Sequence, residues 1–247
     1  MDNDLFDRVY PERRFGGYTR VDGTVEFFTR VQAIACGSET LLDAGCGRGM
    51  HLIEGSEFKC KLANFKAPGR KVIGIDVDPV AETNPGIDEF RKIEESGGWP
   101  VEDASVDVIV SNSVVEHLGD ADAYFAECSR VLKPGGTVCV RTYNVWNYVG
   151  LASRLIPNKY HARVTSTVQK TRKEEDVFDT YYRCNTRRKL KKAFERAGLE
   201  CCVYTFEAEP SYLQFNPLVF RIGALVHKWM PSPLRWALLG FATKPAG

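Results

Sequence analysis

The sequence predicts a doubly wound α/β fold, a parallel sheet with helices on both faces. Three observations carry that expectation. From Thr40 to Arg141 short apolar runs alternate with helical patterns, the rhythm of strands joined by crossover helices. Leu41-Leu42-Asp43-Ala44-Gly45-Cys46-Gly47-Arg48-Gly49 ends one such run in an acid followed by three alternate glycines. Lys71-Val72-Ile73-Gly74-Ile75-Asp76-Val77-Asp78 is a second apolar strand that ends in acid. Asp43, Asp76 and Ser111 thus share the carboxyl end of a predicted strand, where ligands of open α/β sheets bind.

Residues 1–38 precede the first core strand and are expected to cover the cleft at the strand ends. Within them Phe15-Gly16-Gly17-Tyr18-Thr19-Arg20 reads as a glycine-hinged loop, and Val25 to Ala35 as a helix packed on the sheet edge. In the turn that follows, residues without Cβ permit positive φ and let backbone approach a ligand. Met50-His51-Leu52-Ile53-Glu54 then continues as a helix. Two ligand classes compete for this turn. A dinucleotide fingerprint needs a third glycine where Met50 stands and an acid about 20 residues further on, and Asp76 lies well past that spacing. The turn instead resembles the first motif of the class I S-adenosylmethionine-dependent methyltransferases, apolar-apolar-acid-x-Gly-x-Gly-x-Gly.

The resemblance continues in order. Trp99 to Val110 resembles that family's entry into the fourth strand, and Ser111-Asn112-Ser113-Val114-Val115-Glu116-His117-Leu118 the segment after it. Arg130-Val131-Leu132-Lys133-Pro134-Gly135-Gly136 resembles the turn into a fifth strand, Thr137 to Arg141. The implied fold is a Rossmann-like, seven-stranded doubly wound sheet. Trp236 to Pro245 resembles its last, antiparallel strand. Residues 142–184 are longer and more irregular than a connection needs. Their aromatic content, Tyr143, Trp146, Tyr148, Tyr181 and Tyr182 among others, predicts an ordered acceptor lid. Asn185-Thr186-Arg187 opens a basic helix ending near Ala197-Gly198, and Cys201 to Glu207 forms a strand.

Composition agrees with one domain over residues 1–247, long enough to bury a sizeable core. The net charge of +1 gives no global case for a polyanionic partner. Eight cysteines include no C-x-x-C pair, so no zinc cluster is expected. Met1-Asp2-Asn3-Asp4 lacks the basic and apolar regions of a signal peptide, and no long uncharged apolar run occurs, so a cytoplasmic protein is expected.

The resemblance implies a cofactor, S-adenosyl-L-methionine, and roles for particular residues. Gly45, Gly47 and Gly49 let backbone approach it. Asp43 lies near its methionine end, where an acid suits an ammonium group. Asp76, with Val77 beside it, accepts from the ribose hydroxyls, since one carboxylate takes two donors. Asp78 is better placed as a helix cap. Glu95 is the expected adenine partner, and Ser111 completes the site at the fourth strand.

Methyl transfer to a hydroxyl needs a base, and histidine is the side chain most readily poised for that. His51 falls beside the cofactor turn and reads as a packing residue. His117, just past the fourth strand, and His161, in the lid, are the candidate catalytic residues. Adjacent Glu116 and His117 face different ways on a helix and make no metal site. The base N-methyltransferases of nucleic acids carry Pro-Pro and an aromatic after the fourth strand, where this chain has Ser111-Asn112-Ser113-Val114. The basic residues between Arg183 and Lys192 spread around a helix, as on a solvated face. Nucleic acid is therefore disfavoured. The build is similar to methyltransferases of bacterial polysaccharide, quinone and natural-product pathways. The expectation is O-methylation of a small-molecule, glycan or lipid-linked acceptor. N-methylation of a small amine and a catalytically silent binding module are the alternatives. In residues 216–231, Leu218, Ile222, Leu225, Val226 and Trp229 follow helical spacing, with Arg221 and Lys228 on another side. Three readings fit: a helix packed on the domain edge, a cap over the acceptor cleft, or an interfacial helix in peripheral contact with membrane.

Overall fold

The computed structural model describes residues 3–53, 55–94, 97–147, 179–210 and 213–246. Its strands are β1 Thr40–Ala44, β2 Lys71–Asp76, β3 Glu89–Lys92, β4 Val106–Asn112, β5 Leu132–Tyr143, β6 Glu200–Phe206 and β7 Ala237–Thr243. They form one seven-stranded sheet in the order β3-β2-β1-β4-β5-β7-β6. β1 to β5 pair in parallel. β7 runs antiparallel to both β5 and β6, which is the expected architecture.

Successive strand residues face opposite sides, so a sheet covered on both sides reads as continuous apolar runs. Leu42, Ile73, Ile109, Val138, Val140 and Leu238 face α4, Ala121–Val131, and α5, Arg187–Arg196, which bury Phe125, Leu190 and Phe194 against them. Leu41, Val72, Val108, Val110, Cys139 and Leu239 face the other way, toward α2, Gly23–Ile34, and α3, Glu57–Ala63. α2 therefore lies over the middle of a face, held by Phe27, Phe28 and Val31, and not at the sheet edge. A third cluster joins Leu5 and Phe6 of α1, Asn3–Val9, and Tyr10 to Phe220 of α6, Pro217–Lys228. Helix starts are fixed by side chains that accept otherwise unmet N–H groups. Asp22 accepts from Thr24 and Val25, Asp120 from Asp122 and Ala123, and Asn216 from Leu218 and Val219.

Two local expectations change. The chain after the glycine turn makes only one 3-10 turn, Met50–Leu52. α3 starts later, after Gly55 at φ 143°, where the Ser56 hydroxyl accepts the Lys59 N–H. The Pro134-Gly135-Gly136 turn lies inside β5: Leu132 pairs with Val106, and regular pairing resumes at Thr137. β3 is a short edge strand, Glu89-Phe90-Arg91-Lys92, with no apolar run to announce it. Among the described residues no helix is long and apolar enough to cross a membrane.

Candidate active site

The β1 turn bends through left-handed backbone at Gly45 (φ 74°), Gly47 (φ 47°) and Gly49 (φ 70°). The three glycines answer different needs. A Cβ on Gly45 would overlap Val114, and one on Gly49 would overlap Asn84. Buried Asn84 braces the turn by donating to the Cys46 carbonyl (2.9 Å) and accepting from Gly86 N–H (2.8 Å). A Cβ on Gly47 meets nothing within 4 Å, so here the glycine leaves open space above the backbone. At the end of β2, Asp76 Oδ2 accepts from Gly47 N–H (2.9 Å) and Oδ1 from Asp78 N–H (3.0 Å). Each oxygen keeps a lone pair for a ligand hydroxyl. Asp78 caps the 3-10 turn Pro79–Thr83, accepting from Val80 N–H at 2.9 Å.

Three cavities meet at this end of the sheet. The largest, about 610 Å³, lies over Gly47, Asp76, Val77 and Trp99 and is also lined by His117 and Tyr181. A niche of about 50 Å³ is lined by Asp43, Gly49, His51 and Asn112. A third, of about 330 Å³, is lined by Asp22, Lys59, Arg141, Glu209 and Trp236. Gly45 borders both the first and the niche, and Ser113 borders both the first and the third. The result is one branched cleft across the carboxyl ends of β1, β2, β4 and β5.

Charge is distributed unevenly along it. Asp43 lines the niche; burial, then the nearby Asp76 carboxylate, pushes its pKa up to about 7. His51 opens onto the same niche. Burial, then Arg141, lowers its pKa to about 4, and its Nε2 lies 2.5 Å from Asn112 Nδ2. Arg141 Nε donates to Asn112 Oδ1 (2.6 Å) and its Nη1 to Thr24 Oγ1 (3.0 Å), with the guanidinium packed on Phe27 and Phe28. No carboxylate among the described residues pairs with it, and burial lowers its pKa. Across the cavity Asp22 is ion-paired with Lys59. Beside them burial, then Asp22, raises the Glu209 pKa to about 7.

Asp43, Gly45, Gly47, Gly49, Asp76 and Val77 all line the cleft. Ser111 does not. It is fully buried, with its hydroxyl accepting from Tyr124 OH at 2.8 Å, and it is Asn112 and Ser113 that open to the cleft. Glu95 and His161 lie outside the described residues. His117 lines the large cavity, its Nδ1 donating to the Asp179 carbonyl at 2.9 Å, and is not among the residues lining the 330 Å³ cavity. Its neighbour Glu116 is a buried brace: Oε2 accepts from Thr142 Oγ1 (2.6 Å), and its carbonyl accepts the Tyr181 and Tyr182 N–H groups. Among the described residues no group of three or more His, Cys, Asp and Glu is placed to hold a metal. The sequence reading missed Asn84, Ser113, Arg141 and Glu209. Arg141 carried a signal, a charge at the end of an apolar strand. Ser113, at φ 59°, carried none.

The comparisons with known proteins agree with this geometry. The chain is 35% identical over 113 residues to a probable S-adenosylmethionine-dependent methyltransferase of Mycolicibacterium smegmatis, covering 44% of this chain and 40% of that protein. It is 38% identical over 112 residues to an arsenite methyltransferase of Halobacterium salinarum, covering 41% of this chain and 26% of that one. The match therefore spans less than half the length of these curated relatives. The fold is shared with geranyl diphosphate C-methyltransferase from Streptomyces coelicolor, solved with S-adenosyl-L-homocysteine. There the TM-score is 0.52 at 18% identity, over 89% of this chain and 78% of that one. Residues 14–203 match the family described as the methyltransferase domain. On that match, with a glycine turn and strand-end acids that fit S-adenosylmethionine, the chain belongs to the S-adenosylmethionine-dependent methyltransferases.

Proposed function

We propose that the chain transfers a methyl group to a hydroxyl of a small-molecule, glycan or lipid-linked acceptor. The observation that carries this reading is the junction at Ser113, where the cavity over the glycine turn meets the 330 Å³ cavity. Bound S-adenosylmethionine supplies a methyl already activated on a sulfonium. Asp76 would hold the ribose hydroxyls over Gly47, Trp99 and Tyr124 would enclose the adenine side, and Asp43 would face the ammonium group. The 330 Å³ cavity takes the acceptor and presents it at Ser113. Alignment of that kind contributes about 7–11 kcal/mol to such reactions. Glu209 lines this cavity with a pKa that burial raises to about 7, and it would receive the hydroxyl proton.

Fold alone does not choose the acceptor atom: one relative is named for arsenite and one structural neighbour for a carbon acceptor. Two acids in the acceptor cavity, Asp22 and Glu209, also suit a cationic amine, which keeps N-methylation as the second reading. Methyl-labelled cofactor, offered with a panel of hydroxyl, amine and carbon acceptors, tests both. An O-methylated product identified by mass spectrometry is expected. Label found only on nitrogen or carbon overturns the hydroxyl assignment, and no transfer to any acceptor points to a silent binding module.

A further inference from the structure

α6 is apolar on two sides. One side holds it to the protein. Phe220 packs on Phe6 with ring centroids 4.8 Å apart, Gly223 admits Leu213, and His227 Nδ1 donates to the Ala208 carbonyl at 2.8 Å. The other side faces solvent. Leu218, Ile222, Leu225, Val226 and Trp229 recur at helical spacing and are 52% to 75% exposed. Single exposed apolar residues are ordinary, but a contiguous stripe on one helix marks an interaction surface.

The helix's own charges have one sign. Exposed Arg221 and Lys228 flank the stripe, with Lys228 Nζ 5.8 Å from the Trp229 ring centroid. From Pro210 to Trp236 the sequence contains no Asp or Glu. A second copy of this chain would bring the same cations against themselves. An anionic lipid surface complements them, while the apolar stripe enters the acyl boundary and tryptophan sits at headgroup level. The helix also stands beside the cleft. It is carried on the β6–β7 connection, whose ends, Ala208-Glu209 and Trp236-Ala237, wall the 330 Å³ cavity.

We propose that the solvent-facing stripe of α6 docks this protein peripherally on an anionic lipid bilayer. Docking there would bring the connection that walls the 330 Å³ cavity to the lipid surface, and its bearing on catalysis alone rests on the acceptor reading above.

Flotation of the full chain with phosphatidylcholine vesicles, with and without phosphatidylglycerol, tests the docking without any methyl transfer. Co-flotation is expected with the anionic vesicles at low salt and is lost as salt screens the charges. Leu225→Asp and Trp229→Ala remove it, and because both side chains are exposed these variants keep their fold, checked by S-adenosylhomocysteine binding. Arg221→Glu with Lys228→Glu lowers the partition coefficient on the order of tenfold or more. Absence of flotation by the wild-type chain at low salt overturns the proposal, as does flotation unchanged by Leu225→Asp. A concentration-dependent dimer that Leu225→Asp dissolves, with no flotation, assigns the face to a second copy and overturns it equally.

Discussion

Asp76 serves the turn and the ligand with one carboxylate, which makes its removal costly twice over. It orders Gly47 by accepting its N–H and leaves a lone pair on each oxygen toward the large cavity. Asp76→Ala is expected to weaken S-adenosylmethionine binding by about 1–3 kcal/mol, the range for stranding buried hydrogen-bond partners. Calorimetric titration checks this, and an unchanged affinity would displace the ribose from β2. Asp43 gives a pH dependence. Its pKa is raised to about 7, so below that pH the empty site carries a proton. A ligand ammonium favours the ionised form, so binding releases the proton, and affinity rises with pH up to about 7 and then levels. Asp43→Asn should flatten that profile, which titrations at several pH values would show. For Arg141 the question is which anion it serves. It borders the 330 Å³ cavity with no carboxylate partner among the described residues. Arg141→Gln is expected to leave S-adenosylhomocysteine affinity intact while transfer to the acceptor falls. A loss of S-adenosylhomocysteine affinity would assign the residue to the cofactor's carboxylate.

At the scale of elements, the glycine turn separates what packing requires from what a ligand requires. Gly45→Ala forces a Cβ into Val114 as well as into left-handed backbone. Overpacking of that kind costs about 1–3 kcal/mol, and the melting temperature should drop. Gly47→Ala meets open space and carries only the left-handed strain, about 1–2 kcal/mol. Its fold should survive while S-adenosylhomocysteine no longer raises its melting temperature. An undiminished rise in the melting temperature of Gly47→Ala on adding S-adenosylhomocysteine would show that the space over Gly47 is not the cofactor's. The same contrast explains what was legible in the sequence. β1, β2, β4 and β5 were readable because both faces are buried and the apolar runs are continuous. β3 was not, because an edge strand of Glu89, Phe90, Arg91 and Lys92 needs no such run. The stop at Leu52 was hidden because the turn is capped at Ile53, an apolar residue with no breaker character, while α3 takes Ser56 as its own cap. The cofactor half of the cleft is local in sequence, glycines and strand-end acids, and so was visible. The 330 Å³ cavity, proposed for the acceptor, is assembled from Asp22, Lys59, Arg141 and Glu209, which only the closed sheet brings together. α6 shows the limit most sharply: spacing disclosed the apolar stripe but not that Phe220 and Gly223, on its other side, are the residues that pack.

For the whole molecule, two large clusters fill the faces of one sheet, while the third, joining α1 to α6 through Phe6, Tyr10 and Phe220, stands apart from both. Cooperative units follow such boundaries, and the smaller cluster should open at a lower free energy than the sheet. Phe220 is its centre, fully buried with Phe6 at 4.8 Å and Tyr10 at 6.4 Å between ring centroids. Phe220→Ala removes about 3–5 kcal/mol where a core cannot collapse around the void. In a satellite cluster that loss falls on local opening before global unfolding. Hydrogen exchange should therefore quicken across α1 and α6 while β1, β4 and β5 keep their protection. S-adenosylhomocysteine should still bind with near wild-type affinity. Vesicle flotation should weaken, because the stripe of α6 presents one face only while its other face is anchored. Exchange that quickens evenly through the sheet would show instead that the α1–α6 cluster is part of one cooperative core, and that α6 cannot be loosened without loosening the cleft.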